Sequence, residues 1–447
     1  MEVRRFFAGN GETACRYHVD YCRRQFFFAR TENEIKPLNL NIETEGTVAE
    51  KFFWTEGELL KRRLNDARPP VKNPGKLLDG AMDFWIKNGK RDLSLLAAED
   101  GRMEELAGRA RSFMAERMCF LDGFHSAPLD SEVTGEEEKE GYTLQHIMFT
   151  GTPPLRVPAI VLVPKGRPAP YPAVLALHDM GSLRLFGKEK LLAFEGEPAG
   201  LTEHRRKGYG GKSIMSELAE RGYLVMAIDA FNFGPRTVEG VADPKGFLER
   251  RLSMSTQEMA AKSASISGHD EPFLVRNVES AGLTWPGIYT MDDIRSVDYL
   301  CGREDVIKER IGCIGMSVGG FRANHLAALD LRVKAAVSVC WTCTIEGIAG
   351  YNVGGAIGWF MLTQGLLGRM DIPDIQSLAL PRAFMAMSGW DDILFQPFGI
   401  AKAHMHLRRC YEKAGCPGQL GSMVYESPHE FNAEMQKDAF EFLSVKL

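Results

Sequence analysis

The chain has 447 residues, of which 45% are hydrophobic and 25% are charged, and its formal net charge is −5. This composition is that of an ordinary globular protein, long enough for a large core and an appended region. The acidic balance, with no block of Lys and Arg, argues against nucleic acid as a partner. Nine cysteines without a regular spacing do not indicate a disulfide framework.

The N-terminal part of the chain has the pattern of helices. Its first residues are charged and lack a long apolar stretch, which predicts no signal peptide and a cytoplasmic location. Apolar residues recur at helical spacing over 101–123 and, on a smaller scale, over 76–90. The acidic stretch 130–141 then indicates a linker or an exposed turn. We therefore expect a mainly helical region over residues 1–140, serving as a cap or as the surface of a homodimer.

From residue 141 the pattern changes to short apolar strands. Residues 142–166 hold two β-rich runs about a Gly-Thr-Pro-Pro turn, which indicates a hairpin at an antiparallel edge. Thr290 and Asp293 resemble the capping box that opens a helix. Six further apolar runs alternate with helical stretches, as in a mostly parallel sheet that is covered by helices on both faces. These predicted strands are residues 172–178, 223–229, 310–316, 333–341, 382–388 and 422–427.

An uncharged run over residues 347–368 contains two successive GxxxG spacings, as membrane helices do. Its seven glycines would weaken any helix, and it lies within the predicted sheet region. Long connections between strands are where lids and binding loops occur, so we expect an apolar lid instead of a membrane helix. The three long, lid-like connections are residues 182–212, 232–289 and 344–380.

The stretch IGCIGMSVGGFRA, residues 311–323, contains a G-x-S-x-G motif centred on Ser317. An apolar strand precedes the motif and helical residues follow it, which is the context of a nucleophile elbow. Glycines beside the serine avoid a collision where strand and helix approach, and the serine itself is held in a strained conformation. The motif alone is common by chance, but its position favours a nucleophilic serine.

A nucleophilic serine needs a base downstream in the chain. We favour His429 because it follows the last predicted strand, at the end of a sheet where functional loops lie. His325 stands in the helix after the motif, as a packing or surface residue. His404 and His406 are predicted to lie on the surface of a helix.

The base in turn needs an acid that orients it. Asp391 and Asp392 follow the preceding predicted strand, next to Trp390, and either of them has a suitable position. Asp229 also ends a strand, but it precedes Ser317 and breaks the chain order of serine, acid and histidine.

Taken together, these segments resemble the α/β-hydrolase superfamily, and within it the dienelactone hydrolase and acetyl-xylan-esterase-like branch. The resemblance covers about residues 145–447 and depends on the joint order of its pieces. It implies an α/β-hydrolase fold over residues 141–447, with a mostly parallel central sheet, preceded by the helical N-terminal region. The acid of this family usually closes a G-x-x-D motif, which favours Asp392 and keeps Asp391 in reserve. The matching pieces are AVLALHDMGS, LAERGYLVMAIDAFNFGPR, DDIRSVDYL, RIGCIGMSVGGFRANHLAALDLRVKAAV, SGWDDILFQP and SPHEF.

The same resemblance implies an oxyanion hole after the strand 172–178. His178-Asp179-Met180-Gly181 stands where the family commonly has His-Gly-x-Gly. The backbone N–H groups of Met180 and Val318 are the expected donors, and backbone donors tolerate changes of side chain. The charged Asp179 either tunes substrate choice or braces the loop. Candidate pocket residues are His178, Asp179, Trp341 and Trp390.

These features predict a serine hydrolase that cleaves a carboxylic ester or a related acyl compound, through a triad of Ser317, His429 and Asp392 and an acyl-enzyme. Hydrolysis of a carbon–carbon bond in a ketone or diketone is an alternative, because some α/β-hydrolases with helical N-terminal additions catalyse it. A non-catalytic binding protein that keeps the fold is the other class, although a complete triad in order favours catalysis.

The expected partner is a small-molecule substrate, without nucleic acid or membrane. Cys340 and Cys343 form a single C-x-x-C at the end of a strand, which is typical of structural cysteines more than of a redox or zinc site. The sequence therefore predicts no metal and no cofactor.

Overall fold

The computed structural model describes residues 53–68, 79–99, 101–349, 357–366 and 368–447. Its strands form one sheet in the order β1-β2-β3-β5-β4-β6-β7-β8-β9. Strands β4 to β9 are parallel, and β1 to β3 form an antiparallel edge. The predicted mostly parallel sheet is thereby confirmed. The strands are β1 Glu132–Glu138, β2 Tyr142–Thr150, β3 Arg156–Pro164, β4 Tyr171–Leu177, β5 Leu224–Ile228, β6 Val306–Met316, β7 Val333–Val339, β8 Ala383–Gly389 and β9 Leu420–Tyr425.

Helices cover both faces of the sheet, so the central strands are largely buried, apart from the exposed start of β6 at Lys308–Arg310. Every residue of β5 and of β8 is buried. The helices of the described ranges are α1 Gly57–Arg63, α2 Asp79–Asn88, α3 Met103–Met118, α4 Ala199–Gly208, α5 Ile214–Glu220, α6 Val238–Ala242, α7 Pro244–Ser253, α8 Thr256–Ser265, α9 Glu271–Ser280, α10 Trp285–Gly302, α11 Val318–Leu329, α12 Ile345–Ile348, α13 Ile372–Ser377, α14 Pro397–Lys413 and α15 Ala433–Lys446. Helices α3, α10, α11 and α14 contribute to the core on one face, and α5 and α15 to the core on the other.

The acidic stretch 130–141, predicted as a linker or an exposed turn, contains the edge strand β1. It pairs with β2, with a register shift between Val133 and Gly135. Six of its seven residues are exposed, and its carboxylates pair across the strands, as Glu132 does with Arg156 at 2.9 Å. An exposed, charged edge strand resists pairing with other chains, and its composition matches that of a linker. The division of the chain into two regions at residue 140 stays a prediction.

The helix predicted to open at Thr290 begins earlier, at Trp285. Its N-cap is Thr284, whose Oγ1 accepts the N–H of Gly287 at 3.1 Å. Thr290 lies inside the helix and donates to the Pro286 carbonyl at 2.8 Å. The Thr-x-Pro sequence provides both a capping side chain and a proline in the first turn, and this combination starts a helix more strongly than Thr290 does.

The prediction that His404 and His406 lie on the surface is wrong. His404 is fully buried, and its two ring nitrogens contact Ser388 Oγ at 3.0 Å and Ser422 Oγ at 2.9 Å. His406 Nε2 lies 2.8 Å from a carboxylate oxygen of Asp374. Helix α14 packs against β9, α1 and α13, so neighbours cover it on more than one side. His325 was predicted to be either a packing or a surface residue, and it is a buried packing residue.

The three long connections contain additional helices. The first and second pack together around a small apolar core of their own. The third holds the glycine-rich run, of which residues 350–356 and 367 lie outside the described residues. No helix in the described ranges combines the length and the apolar character that crossing a bilayer requires. The lid role stays a prediction.

Residues 53–68, which we call the edge segment, cover the other edge of the sheet. Thr55 donates its N–H to the Ser422 carbonyl at 2.9 Å, and Ser422 donates its N–H to the Phe53 carbonyl at 2.6 Å. The Thr55 hydroxyl accepts the N–H of Val424 at 2.6 Å. These bonds satisfy backbone groups that would otherwise be exposed on the last strand, β9.

Replacing Thr55 with Val tests this attachment. The change leaves the Val424 N–H without its acceptor, and we expect the free energy of unfolding to fall by about 1–3 kcal/mol in urea titrations. Thr134→Val on the exposed strand β1 is the matched control, because its hydroxyl also bonds a backbone group, at 3.2 Å, but in contact with water. Equal urea midpoints for the two variants would show that the attachment adds no stability.

Candidate active site

The topology of the sheet places a crevice at the carboxyl ends of β4 and β6. The chain leaves β4 towards β5 on one side and leaves β6 towards β7 on the other. Such a change of direction is where parallel α/β sheets bind their ligands. The loop after β4 holds His178–Gly181, and β6 ends directly before Ser317. The two predicted halves of the site are therefore neighbours.

Ser317 has the backbone conformation of a sharp turn, with φ 59° and ψ −118°. A methyl group on Gly315 would lie 2.4 Å from the carbonyl carbon of Gly319, and one on Gly319 would lie 2.0 Å from the carbonyl oxygen of Leu177. Both distances are far shorter than any real contact of a methyl carbon. Strand β6, helix α11 and the end of β4 therefore meet so closely that the motif needs glycine at both positions.

His429 and Asp392 form a hydrogen-bonded pair beyond the ends of β9 and β8. The distance between His429 Nδ1 and Asp392 Oδ2 is 2.6 Å, and Asp392 is buried. The second carboxylate oxygen of Asp392 accepts the N–H of Leu394 at 2.9 Å. Asp391 is exposed. Of the two aspartates that the sequence left open, the structure places Asp392 against the histidine.

The pair determines the protonation of His429. Burial alone would disfavour the charged imidazole, but the Asp392 carboxylate, by its charge and its hydrogen bond, raises the pKa of His429 above its ordinary value. Because Nδ1 donates to Asp392, Nε2 is left as the acceptor of a proton. This is the form that a general base requires.

Ser317 is almost buried, with 7% of its surface exposed. Between the described side chains of Ser317 and His429 the structure records no hydrogen bond. In ligand-free sites such contacts are often long and shorten only when substrate is bound. Asp392 and His429 are therefore hydrogen-bonded to each other. Ser317 shares with them only its location at the carboxyl ends of the parallel strands.

Of the two predicted oxyanion donors, Val318 lies in a helix and Met180 lies in the loop after β4. Val318 is the first residue of α11, so its N–H has no acceptor within the helix. The Met180 carbonyl accepts from Lys190 Nζ at 2.7 Å and from the Leu183 N–H at 3.1 Å, which fixes the orientation of the loop. Sequence reasoning missed Lys190, since a lysine in a charged stretch gives no signal of burial.

Lys190 is fully buried and also donates to the Asp179 carbonyl at 2.8 Å. Burial lowers its pKa to about 8, against the opposing charge of Asp179. Its ammonium group lies 4.8 Å from the centre of the Phe233 ring, a cation–π distance. A buried cation therefore lies directly behind the loop that is predicted to bind the oxyanion.

The Asp179 carboxylate contacts side chains of helix α4 and of the residue that follows it. Asp179 Oδ1 accepts from the Tyr209 hydroxyl at 2.7 Å and lies 3.2 Å from His204 Nε2. Burial would raise the pKa of Asp179, but the charges of His204 and Lys190 hold it well below its usual range. The contacts favour the second of the two predicted roles of Asp179, bracing the loop.

His178 is fully buried, and its Nε2 accepts the N–H of Ala230 at 3.1 Å. Its Nδ1 therefore carries the proton and donates to the Asp179 carbonyl at 2.8 Å. Burial, together with the charge of Lys190, lowers the pKa of His178 well below its ordinary value, so the ring is neutral. A neutral ring links the loop after β4 to the loop after β5.

Trp341 and Trp390 are buried in the apolar cluster that includes Val318. Trp341 meets Phe321 and Phe395 edge-on, with ring centres 5.7 and 5.5 Å apart. Their place in the same cluster as Val318 agrees with a pocket role, which stays a prediction.

Cys340 lies beside the acid–base pair. Its Sγ and one ligand atom each of Asp392 and His429 lie within 4.8 Å of one another, a set that suits zinc by ligand type. The 2.6 Å hydrogen bond already uses an atom of each of the other two residues, and burial raises the pKa of the Cys340 thiol well above its ordinary value. The Cys340 Sγ itself donates to the Glu430 carbonyl at 3.5 Å, and the absence of a metal stays a prediction.

Comparisons with known proteins agree with this architecture, although no family model matches the chain. The Bacillus subtilis protein named "Putative hydrolase YtaP" is 28% identical over 316 residues, which are 71% of this chain and 92% of that protein. A solved structure from Bacteroides fragilis, named as a "putative acetyl xylan esterase", is 18% identical, with a TM-score of 0.59 over 80% of this chain and 84% of its own. A glucuronoyl esterase from Solibacter usitatus is 16% identical, with a TM-score of 0.53 over 80% of this chain and 97% of its own.

These likenesses confirm the predicted α/β-hydrolase fold. The names of the relatives are those of hydrolases and esterases, the enzyme class that the sequence predicted.

The protonation of His429 can be measured directly. We expect its ring to titrate above its ordinary value of 6.5 in the wild type, because Asp392 stabilises the charged form. In Asp392→Asn the burial remains and the charge is lost, so the pKa should fall below 6.5. NMR titration of the histidine Cε1 protons, with Asp391→Asn as the matched control, checks both directions. An unchanged pKa in Asp392→Asn would contradict the pairing.

Proposed function

We propose that this chain, with its α/β-hydrolase fold, is a carboxylic ester hydrolase that uses Ser317 as nucleophile, His429 as base and Asp392 as acid. The observation that carries the proposal is the 2.6 Å hydrogen bond between His429 and Asp392. This pair lies at the carboxyl ends of the parallel strands, as does Ser317 on its strained turn. Nucleophile, base and acid then follow the chain order expected for this fold.

In the first half of the reaction, Ser317 Oγ bonds to the carbonyl carbon of the ester and its proton passes to His429 Nε2. The negative charge that forms on the carbonyl oxygen is stabilised by the N–H groups of Met180 and Val318. Collapse of this intermediate breaks the bond to the alcohol oxygen, which takes the proton from His429. The acyl group remains on Ser317.

In the second half, water replaces the alcohol. His429 takes a proton from the water, which attacks the acyl carbon, and the bond to Ser317 Oγ then breaks as the serine regains its proton. Asp392 stays ionised throughout and stabilises the imidazolium that forms in each half. Its burial and its bond to the Leu394 N–H keep the carboxylate in one orientation.

The names of the relatives indicate which esters to test first. The Bacteroides and Solibacter proteins are named for acetyl xylan and glucuronoyl esters, both of which are esters of carbohydrates. We therefore take acetylated and uronic esters of sugars as the first substrate class to test. A panel of β-diketones alongside them covers the carbon–carbon hydrolase alternative.

The nucleophile is tested by labelling with a fluorophosphonate and measuring the intact mass. We expect one adduct on the wild type, none on Ser317→Ala and much slower labelling of His429→Ala, because only an activated serine reacts. Ser112→Ala is the matched control, since Ser112 is an exposed helix residue. A folded wild type that stays unlabelled, and hydrolyses no ester in the panel, would refute the proposal.

The acid is tested by a pair of neighbouring substitutions. We expect Asp392→Asn to lower kcat by about 10²–10⁴-fold, because the imidazolium loses its counter-charge. Asp391→Asn should keep kcat within about threefold of the wild type, because this side chain is exposed and does not contact His429. Steady-state hydrolysis of 4-nitrophenyl acetate provides the measurement. Equal losses in both variants would remove Asp392 from its proposed role.

A further inference from the structure

The edge segment reaches the loop that carries Asp392. Its last residue, Arg68, is half-buried and lies where helix α1 has ended and the chain passes over this loop. The Arg68 guanidinium donates through Nη2 to the Trp390 carbonyl and through Nη1 to the Asp392 carbonyl. One planar group therefore holds two carbonyls of the turn on which the proposed acid stands.

The opposite side of the same turn is held by β9. The Trp390 N–H donates to the Tyr425 carbonyl at 2.8 Å, and the Asp391 N–H donates to the Ser427 carbonyl at 3.1 Å. The N–H groups of Trp390 and Asp391 thus bond at the end of β9, and the carbonyls of Trp390 and Asp392 accept from Arg68. Without Arg68, the Trp390 carbonyl would lose its charged partner, and the Asp392 carbonyl would keep only the Phe395 N–H, at 3.4 Å.

Arg68 is itself fixed at its backbone. Its N–H donates to Gln396 Oε1 at 2.6 Å, and Gln396 is the N-cap of helix α14. Burial lowers the pKa of the Arg68 guanidinium, and the charges of Asp392 and Asp391 oppose this effect. An arginine remains charged under such conditions, so its bonds to the carbonyls are charge-assisted.

We infer that Arg68 is a positioning residue of the active site, which fixes the turn carrying Asp392 and thereby directs its carboxylate towards His429. The inference rests on the proposed function and extends it, because it makes a residue outside the predicted hydrolase region, 141–447, a part of the catalytic architecture. Displacements of about 1 Å at such a point reduce turnover by about 10²-fold.

The test compares Arg68→Ala, Arg68→Lys and Arg63→Ala. Arg63 is the matched control, because it lies on the same segment and over the Trp390 ring at 5.3 Å, but its recorded ion pairs are with Asp66 and Glu426. We expect kcat for 4-nitrophenyl acetate to fall about 10–100-fold in Arg68→Ala with KM within about threefold, since binding of this small ester is not affected. Arg63→Ala should keep kcat within about twofold.

Arg68→Lys keeps the charge but has no planar fork to hold two carbonyls, so we expect its kcat to fall by at least about threefold. Added guanidinium should restore part of the kcat of Arg68→Ala and leave Arg63→Ala unchanged. A folded Arg68→Ala with wild-type kcat would overturn the inference. If Arg68→Ala does not fold, wild-type kcat in Arg68→Lys would overturn it equally.

A spectroscopic measurement separates this inference from the proposed function. The proton shared by His429 Nδ1 and Asp392 is expected to give a strongly deshielded NMR resonance, which should shift or broaden in Arg68→Ala and stay unchanged in Arg63→Ala. If the wild type hydrolyses no ester, the proposed function fails while this resonance still reports on Arg68. If the wild type is active and the resonance is identical in all variants, only the role of Arg68 fails.

Discussion

The close approach of strand β6, helix α11 and the end of β4 is the constraint on which the rest of the site depends. At Gly319 no room exists for even one methyl group, and the turn between strand and helix forces Ser317 to a φ of 59°. This geometry lifts the serine out of the sheet and places the first N–H of the helix beside it. A looser junction would keep the sheet intact but would lose both effects together.

Around this junction the protein buries charged side chains together with hydrogen-bonding partners. Asp179 lies between Tyr209 and His204, Lys190 holds two carbonyls of the loop after β4, and Asp392 lies against His429. Burying any of these charged groups alone would cost free energy, and their partners offset that cost. The contacts also hold the backbone of the loops in place. The loops at the carboxyl ends of the strands are thereby held by polar contacts as well as by buried apolar side chains such as Trp341 and Trp390.

The parts that follow from periodicity were predictable from the sequence, and those set by distant contacts were not. The apolar runs of β4 to β9 and the glycines around Ser317 are local signals, so the sheet and the elbow could be read directly. His404 looked like a surface residue because nothing in its own helix shows that α1 and β9 cover it. Arg68 gave no signal, since it lies more than 300 positions from the carbonyls it binds. Acidic β1 has the composition of a linker, and only pairing with β2 makes it a strand.

The attachment of the edge segment to β9 has a consequence for folding during translation. Thr55 and Val424 are 369 positions apart, so the segment leaves the ribosome long before its partner strand is made. Closing so large a loop carries an entropic penalty and comes late in folding. His429 also lies beyond β9, so a nascent chain holds Ser317 well before it holds the proposed base or a completed edge of the sheet. The proposed active site therefore stays incomplete until synthesis has passed the last strand.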